Sequence, residues 1–413
     1  MTAKTEKMDK AEKTEKKHIL VVSQYFYPEP FRINDMCQEW VKRGYKVTVL
    51  TGIPNYPEGK FYKGYGWCKK RKENWNGVEI RRIPLIPRGK GKIRLALNYF
   101  SFVVSGWFWK LFTRLKADVV FTFEVSPMTQ ALVGVWYAKR RKIPHYLYVQ
   151  DLWPENVETV TGIHNKTVLG AIGKMVNSIY RRSDLIFATS ESFVGEIQKR
   201  VFDDKEKVKF WPQYAETFYK PTENTKAEEL PKDCFKIIFT GNIGKAQGLD
   251  ILPKTAVLLK ERGKNGRFII VGDGRDKEAL LAEIEANGVS EFFVMVPRRP
   301  AEEMPAYLCA CDCAFVSYMD NPLWANTIPA KMQSYMACGM PVIASASGET
   351  ARLIAAADCG ICCEIGNAEA LASGIEQMMN TDVSALARNA KAYSDTHFDK
   401  KTLMDEMDGY LGE

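Results

Sequence analysis

The stretch "FKIIFTGNIGKAQGLDILPKTAVLLKERGKNGRFIIVGDGRD", residues 235–276, decides the fold. Its apolar run from Phe235 ends in a glycine turn. Leu249 to Gly263 then reads as a helix, and "GRFIIVGDG" is a second apolar strand that again runs into glycines. Strand, helix and strand at these lengths make a parallel βαβ unit. Glycines at a strand-to-helix turn let the backbone approach a phosphate, and the next helix N-terminus favours its charge. Neither turn carries a full G-x-G-x-x-G with an acidic residue about twenty positions on, so a nicotinamide cofactor is not expected.

The pattern continues toward the C-terminus. "KEALLAEIEANG" is a helix, "FFVMVP" a strand, "EEMPAYLCACD" a helix and "CAFVSY" a strand. In "NTIPAKMQSYMACGMPVIASASGET", residues 326–350, Thr327 reads as a helix cap with Pro329 in the first turn. Met332, Tyr335 and Met336 give that helix an apolar face, Gly339 stops it, and "VIAS" is a buried strand. Lys331 stands beside the helix's free N–H groups, an arrangement suited to an anion. "CGICCEI" reads as an edge strand, and residues 368–411 as helical.

Toward the N-terminus, "WPQYAETFYKPTENTKAEELPKD" is polar, rich in proline and without a period. Before it the alternation recurs, with strands in "HILVV", "VTVLTG", "VEIRRIP", "ADVVFTF", "IPHYLYVQD" and "SDLIFATS". The expected architecture is α/β, two Rossmann-like domains facing across a cleft. A charged tail would span 1–17, the first domain 18–215, a linker 216–233 and the second domain 234–385. A helical segment, 386–413, would pack back on the first domain. Ligands of such sheets sit beyond the carboxyl ends of the strands.

The 413 residues are 46% hydrophobic and 26% charged, and the net charge of +8 is modest. With no recognition helix or zinc spacing, nucleic acid is excluded as a partner. Cys309, Cys311 and Cys313 alternate and Cys362 and Cys363 are adjacent; neither spacing resembles a zinc site, and the ten cysteines read as reduced structural thiols of a cytoplasmic protein. The tail lacks the apolar run of a secretory signal. "LNYFSFVVSGWFWKLFTRL", Leu97 to Leu115, is aromatic and follows a basic approach through Arg81, Arg82, Arg88, Lys90, Lys92 and Arg94. It is short of the ~20 apolar residues of a membrane span. It reads either as a buried core helix or as a peripheral contact with the inner face of the plasma membrane.

Taken together, the strings "VVSQYFYPEPFRIND", "TGIPNYPEGK", "VQDLWPEN", "FTGNIGKAQGLD", "VGDGRD" and "TIPAKMQSYMACGMPVIAS" resemble the retaining glycosyltransferases of family 4, with the GT-B fold. They span residues 18 to about 390 in order. The resemblance is to the bacterial subgroup that builds O-antigen, capsule or colanic acid, typified by fucosamine and fucosyl transferases. It implies a nucleotide-sugar donor on the second domain and a glycan acceptor, carried on a polyprenyl diphosphate, on the first. It also implies no metal and no cofactor, and the chain has no Asp-x-Asp.

On this resemblance the donor diphosphate falls to Gly241, Asn242, Lys245, Gln247, Gly272, Asp273, Thr327, Lys331 and Gln333. Many members carry two glutamates seven residues apart, matched here by Ala325 and Gln333. Gln333 can still bond ribose hydroxyls. Asn242 and Gln247 stand where the family has a phosphate-binding Arg and Lys. Asp151, Arg32 and Glu29 are the catalytic candidates. Asp151, at a strand end, can orient a sugar hydroxyl or take the acceptor's proton, or else merely cap the next turn. Glu124 is a further donor-side carboxylate, while His145, mid-strand, reads as structural. Two rivals remain: a same-fold nucleotide-sugar 2-epimerase, and a nucleotide-sugar-binding subunit without turnover.

Overall fold

The computed structural model describes residues 16–201 and 204–412, so most of the charged tail lies outside the described residues. The chain divides into two compact units. The first runs to Ala188 and also takes Val194–Lys209 and Gly409–Glu413; the second comprises Thr189–Phe193 and Phe210–Asp408. The division at Lys209 lies upstream of the expected linker. Of the C-terminal helix Lys400–Gly412, only the end groups with the first unit.

The first unit holds β1 (His18–Val22), β2 (Lys46–Thr51), β3 (Lys72–Trp75), β4 (Val78–Arg82), β5 (Val119–Glu124), β6 (His145–Val149), β7 (Leu185–Ala188) and β8 (Val208–Phe210). They form one sheet in the order β3-β4-β2-β1-β5-β6-β7-β8. Strands β1, β5 and β6 are buried along their whole length, as a parallel sheet covered on both faces requires. The edge strand β3, absent from the sequence reading, pairs antiparallel with β4. Its sequence KENW is polar and half exposed, so no apolar run announces it. Helix α1 (Arg32–Lys42) and helix α2 (Lys92–Phe112) follow β1 and β4.

The second unit holds β9 (Phe235–Asn242), β10 (Gly266–Asp273), β11 (Phe293–Val296), β12 (Cys313–Ser317), β13 (Val342–Ser345) and β14 (Gly360–Cys363). Their order, β11-β10-β9-β12-β13-β14, is the doubly wound Rossmann order, with the direction of winding reversing between β9 and β12. Among the described residues every strand pairing in this sheet is parallel. Two apolar layers cover it, one around Ile238, Tyr335 and Met336, the other around Phe239, Leu252 and Ile270. The first unit shows the same reversal between β1 and β5. Open α/β sheets bind ligands at such reversals, beyond the strand ends.

Candidate active site

In the second unit the ends of β9 and β10 are rich in glycine. A Cβ on Gly272 would stand 1.9 Å from the Gly241 carbonyl oxygen, and one on Gly274 would stand 2.0 Å from that of Ile243. Only glycine permits this backbone-on-backbone approach. The turn after β9, Lys245–Gln247, is fastened to β12: Ser317 Oγ donates to Gln247 O, and Met319 N donates to Ala246 O at 3.1 Å.

Lys331 reaches this turn from the helix Ala330–Ala337. Its ammonium donates to Gln247 Oε1 and lies 3.9 Å from the centre of the Phe239 ring. No carboxylate pairs with it among the described residues. Burial without a counter-charge pushes its ammonium down to about 7. An anion arriving here would relieve that desolvation. Tyr335 of the same helix accepts from Thr240 N at 2.9 Å and so ties the helix to β9. Sequence reasoning counted Tyr335 as core and gave Phe239 no part, because both act through contacts distant in sequence.

Gly241, Gln247, Gly272 and Lys331 therefore come together. Asn242, Lys245 and Asp273 are exposed near them; Asp273 Oδ1 accepts from its neighbour Gly274 N at 2.8 Å. One expectation about this helix is corrected. Thr327 does not cap the helix: Pro329 holds that position, and the Thr327 hydroxyl donates back to Leu323 O at 3.2 Å. The reason is a short helix, Pro322–Ala325, which occupies the chain just before it. Gln333 is turned back on the start of its own helix. It is 1% exposed, and its amide nitrogen is best satisfied by Pro329 O and Ala330 O, both at 3.1 Å.

In the first unit two acidic groups meet near the sheet reversal. Glu124 ends β5 and is fully buried; Asp151 lies two residues beyond β6. Burial first, then the neighbouring Asp151 charge, drives the Glu124 carboxyl well above its ordinary range. Burial also raises Asp151, but Ser126 opposes this with its N–H at 2.7 Å and its hydroxyl. Burial and the Asp151 charge therefore bear on Glu124, whereas the Ser126 hydrogen bonds favour the charged form of Asp151. Ser126 is itself held by Trp153 Nε1 at 3.1 Å and Asn156 Nδ2 at 2.8 Å. Asp151 thus fastens the loop after β5. It is not the cap of the following helix, whose N-cap is Pro154.

Glu29 is 1% exposed and accepts from Asn55 N at 2.7 Å, Tyr56 N at 2.6 Å and Phe26 N at 3.3 Å. Burial nevertheless raises its carboxyl to about 7. It positions the loop after β2, and through that loop it positions Arg88, which sequence reasoning counted only as a basic surface residue. Arg88 N donates to Asn55 Oδ1 at 2.8 Å, and its guanidinium lies 5.3 Å from the Tyr56 ring centre. Tyr25 and Tyr99 stand near the same guanidinium, and Tyr99 also feels the Asp151 charge. No carboxylate pairs with Arg88 among the described residues. Arg32 opens α1, with its charge reaching the Tyr148 phenol.

All four histidines are described, and the two buried ones have structural contacts. His145 lies between Thr122 Oγ1 at 2.9 Å and Ser183 Oγ at 3.0 Å, and burial pushes it down to about 3. His18 contacts Thr48 Oγ1 at 2.8 Å. No histidine joins Asp151, as an epimerase's carboxylate and histidine set would require.

Comparison with known proteins agrees with this fold. Residues 31–212 match the glycosyl transferase 4-like domain, and residues 221–396 match the glycosyl transferases group 1 domain. The chain belongs to the family 4 glycosyltransferases and has the GT-B fold. It is 26% identical to a protein named as a colanic acid biosynthesis glycosyl transferase, WcaI of Escherichia coli, over 94% of this chain and 98% of that one. Among solved structures it is similar to sucrose-phosphate synthase of Thermosynechococcus elongatus, with a TM-score of 0.75 at 15% identity over 96% and 98% of the two chains. It is also similar to Anabaena HepE solved with UDP-glucose, with a TM-score of 0.69 at 14% identity over 96% and 99%.

Proposed function

We propose that the protein moves a sugar, with retention and without a metal, from a nucleoside diphosphate sugar to a glycan acceptor in surface polysaccharide synthesis. The observation that carries this reading is Lys331, a cation without a carboxylate partner among the described residues, beside the glycine turns of β9 and β10. The relatives support the rest: WcaI is named for colanic acid, and HepE was solved with UDP-glucose. The matched families are transferases, which does not favour the epimerase or the non-catalytic subunit.

In this reading the acceptor hydroxyl attacks the anomeric carbon as its bond to the diphosphate breaks. The acceptor's proton passes to the departing phosphate on the same face. Lys331 and the backbone N–H groups at the start of its helix stabilise the growing diphosphate charge. Asp151, held by Ser126, orients the reacting hydroxyl, with the Glu124 carboxyl beside it. Arg88, among its tyrosines, takes an anionic group of the acceptor, such as the diphosphate of a polyprenyl carrier. Arg32 adds a second positive charge on this unit.

A panel of nucleotide sugars tests the proposal. The true donor raises the melting temperature, because it binds the native state. With a glycan acceptor it then releases nucleotide in excess chelator, and the product keeps the donor's anomeric configuration by NMR. Binding without turnover would return the chain to the subunit reading. Loss of turnover in chelator, restored by magnesium or manganese, would overturn the metal-free mechanism.

A further inference from the structure

Helix α2 is apolar on two opposite faces. Asn98, Phe102 and Gly106, one turn apart, form its buried face. A Cβ on Gly106 would stand 2.4 Å from Val133, so the helix lies directly on its neighbour Ala131–Arg141. The core-helix reading of this segment accounts for that face alone. On the other side Ile93 is 79% exposed, Phe100 67%, Phe108 52% and Phe112 79%, with Leu97 and Trp107 also exposed. These six are most of the exposed large hydrophobic residues among those described. They recur at helical spacing and form one stripe along the length of the helix.

The stripe is flanked by one sign of charge. Lys92 and Arg94 lie on its two sides at the start of the helix, and both are exposed. Lys110 lies near its end, 5.2 Å from the Trp136 ring centre and 5.8 Å from that of Trp107. Lys90 and Arg114 stand just beyond the helix. From Arg88 to Lys116 there is no Asp or Glu. Among the described residues no helix is long and apolar enough to cross a membrane. A contiguous apolar stripe of this size marks an interaction surface. Basic residues on both borders and tryptophans at the edge suit a bilayer's negatively charged headgroup layer.

We propose that the outer face of α2 docks the protein on an anionic lipid bilayer. The helix lies in the interface plane, with Phe100, Phe108 and Phe112 among the acyl chains and Lys92, Arg94 and Lys110 at the lipid phosphates. This proposal does not depend on the transferase reading, and its test does not use turnover.

Co-sedimentation with phosphatidylcholine vesicles, with and without phosphatidylglycerol, tests it on the full chain. The wild type binds the anionic vesicles, and binding falls as salt shortens the reach of surface charge. Lys92→Glu with Arg94→Glu weakens anionic binding about tenfold or more. Phe100→Ser with Phe108→Ser and Phe112→Ser abolishes binding while the melting temperature holds, since these side chains are exposed in the folded protein. Failure of the wild type to bind anionic vesicles, or undiminished binding by the triple variant, would overturn the proposal. So would a wild-type dimer in sedimentation equilibrium that the triple variant returns to monomer without either form binding vesicles, because the stripe would then join two copies of the chain.

Discussion

At the scale of single residues, Lys331 and Asp151 predict different behaviour. Lys331 has its ammonium pushed down to about 7 when no ligand is bound. A bound diphosphate restores the charged form, so its pKa in the complex is higher. Below pH 7 the lysine is charged in both states and affinity is flat. Above pH 7 binding must take up a proton, and nucleotide affinity falls as the pH rises toward the pKa of the complex. Calorimetry at pH 8 in buffers of different ionisation enthalpy should show proton uptake, and Lys331→Ala should remove it. If wild type and variant take up the same number of protons, Lys331 is not at the diphosphate. Asp151 predicts a rate effect. Asp151→Asn keeps the shape and an acceptor for Ser126 N but removes the charge. Turnover should fall about 10²–10⁴-fold with nucleotide affinity unchanged, the usual span for acid–base help. Near-wild-type turnover would leave the departing phosphate as the only base.

At the scale of elements, the glycine turns explain why two weak motifs make one site. Gly272 φ is +156° and Gly241 φ is +133°, and their backbones lie in register on neighbouring strands. Gly272→Ala would drive its methyl group into the Gly241 carbonyl, so β9 and β10 must part. Overpacking of this kind costs about 1–3 kcal/mol. The variant should melt lower and bind nucleotide more weakly, as chemical denaturation and titration would show. Wild-type stability would mean that the turn gives way easily. Much of this level was legible in the sequence. The alternation of apolar runs and helical periods identified the parallel strands, and Lys331 drew attention because it sits at a helix start. What was missed depended on distant contacts. The polar strand β3 is made by its partner β4. Thr327 lost its cap role to a preceding short helix that the sequence did not announce. The three backbone donors to Glu29 come from residues 26, 55 and 56, which no local pattern announces. Arg88 looked like surface charge because the tyrosines around it are drawn from three separate loops and helices.

At the scale of the whole molecule, the chain does not divide at one linker. Thr189–Phe193 groups with the second unit, where Ser190 Oγ donates to Asn326 O at 2.6 Å, while the last five residues group with the first. The helix Lys400–Gly412 therefore serves both units, which its uninterrupted sequence could not reveal. Its end is fastened within the first unit by three contacts. Tyr146 Oη donates to Tyr410 O at 2.9 Å, the Tyr410 ring stands 5.1 Å from that of Phe187, and Lys17 Nζ donates to Gly412 O at 3.3 Å. The first two brace β6, the strand that leads to Asp151, and its neighbour β7. Removing residues 409–413 should therefore destabilise the first unit by roughly 1–3 kcal/mol, the scale of a lost buried aromatic pair and hydrogen bond. The residues around Lys331 all belong to the second unit, so the truncated chain should keep its nucleotide affinity while losing turnover on warming earlier than the wild type. Calorimetry with and without nucleotide separates the two effects. Nucleotide should raise the transition of the second unit in both proteins, whereas truncation should lower that of the first. If truncation weakens nucleotide binding as much as it lowers the first unit's transition, the end of the helix supports both units equally, and the division of labour between them would have to be redrawn.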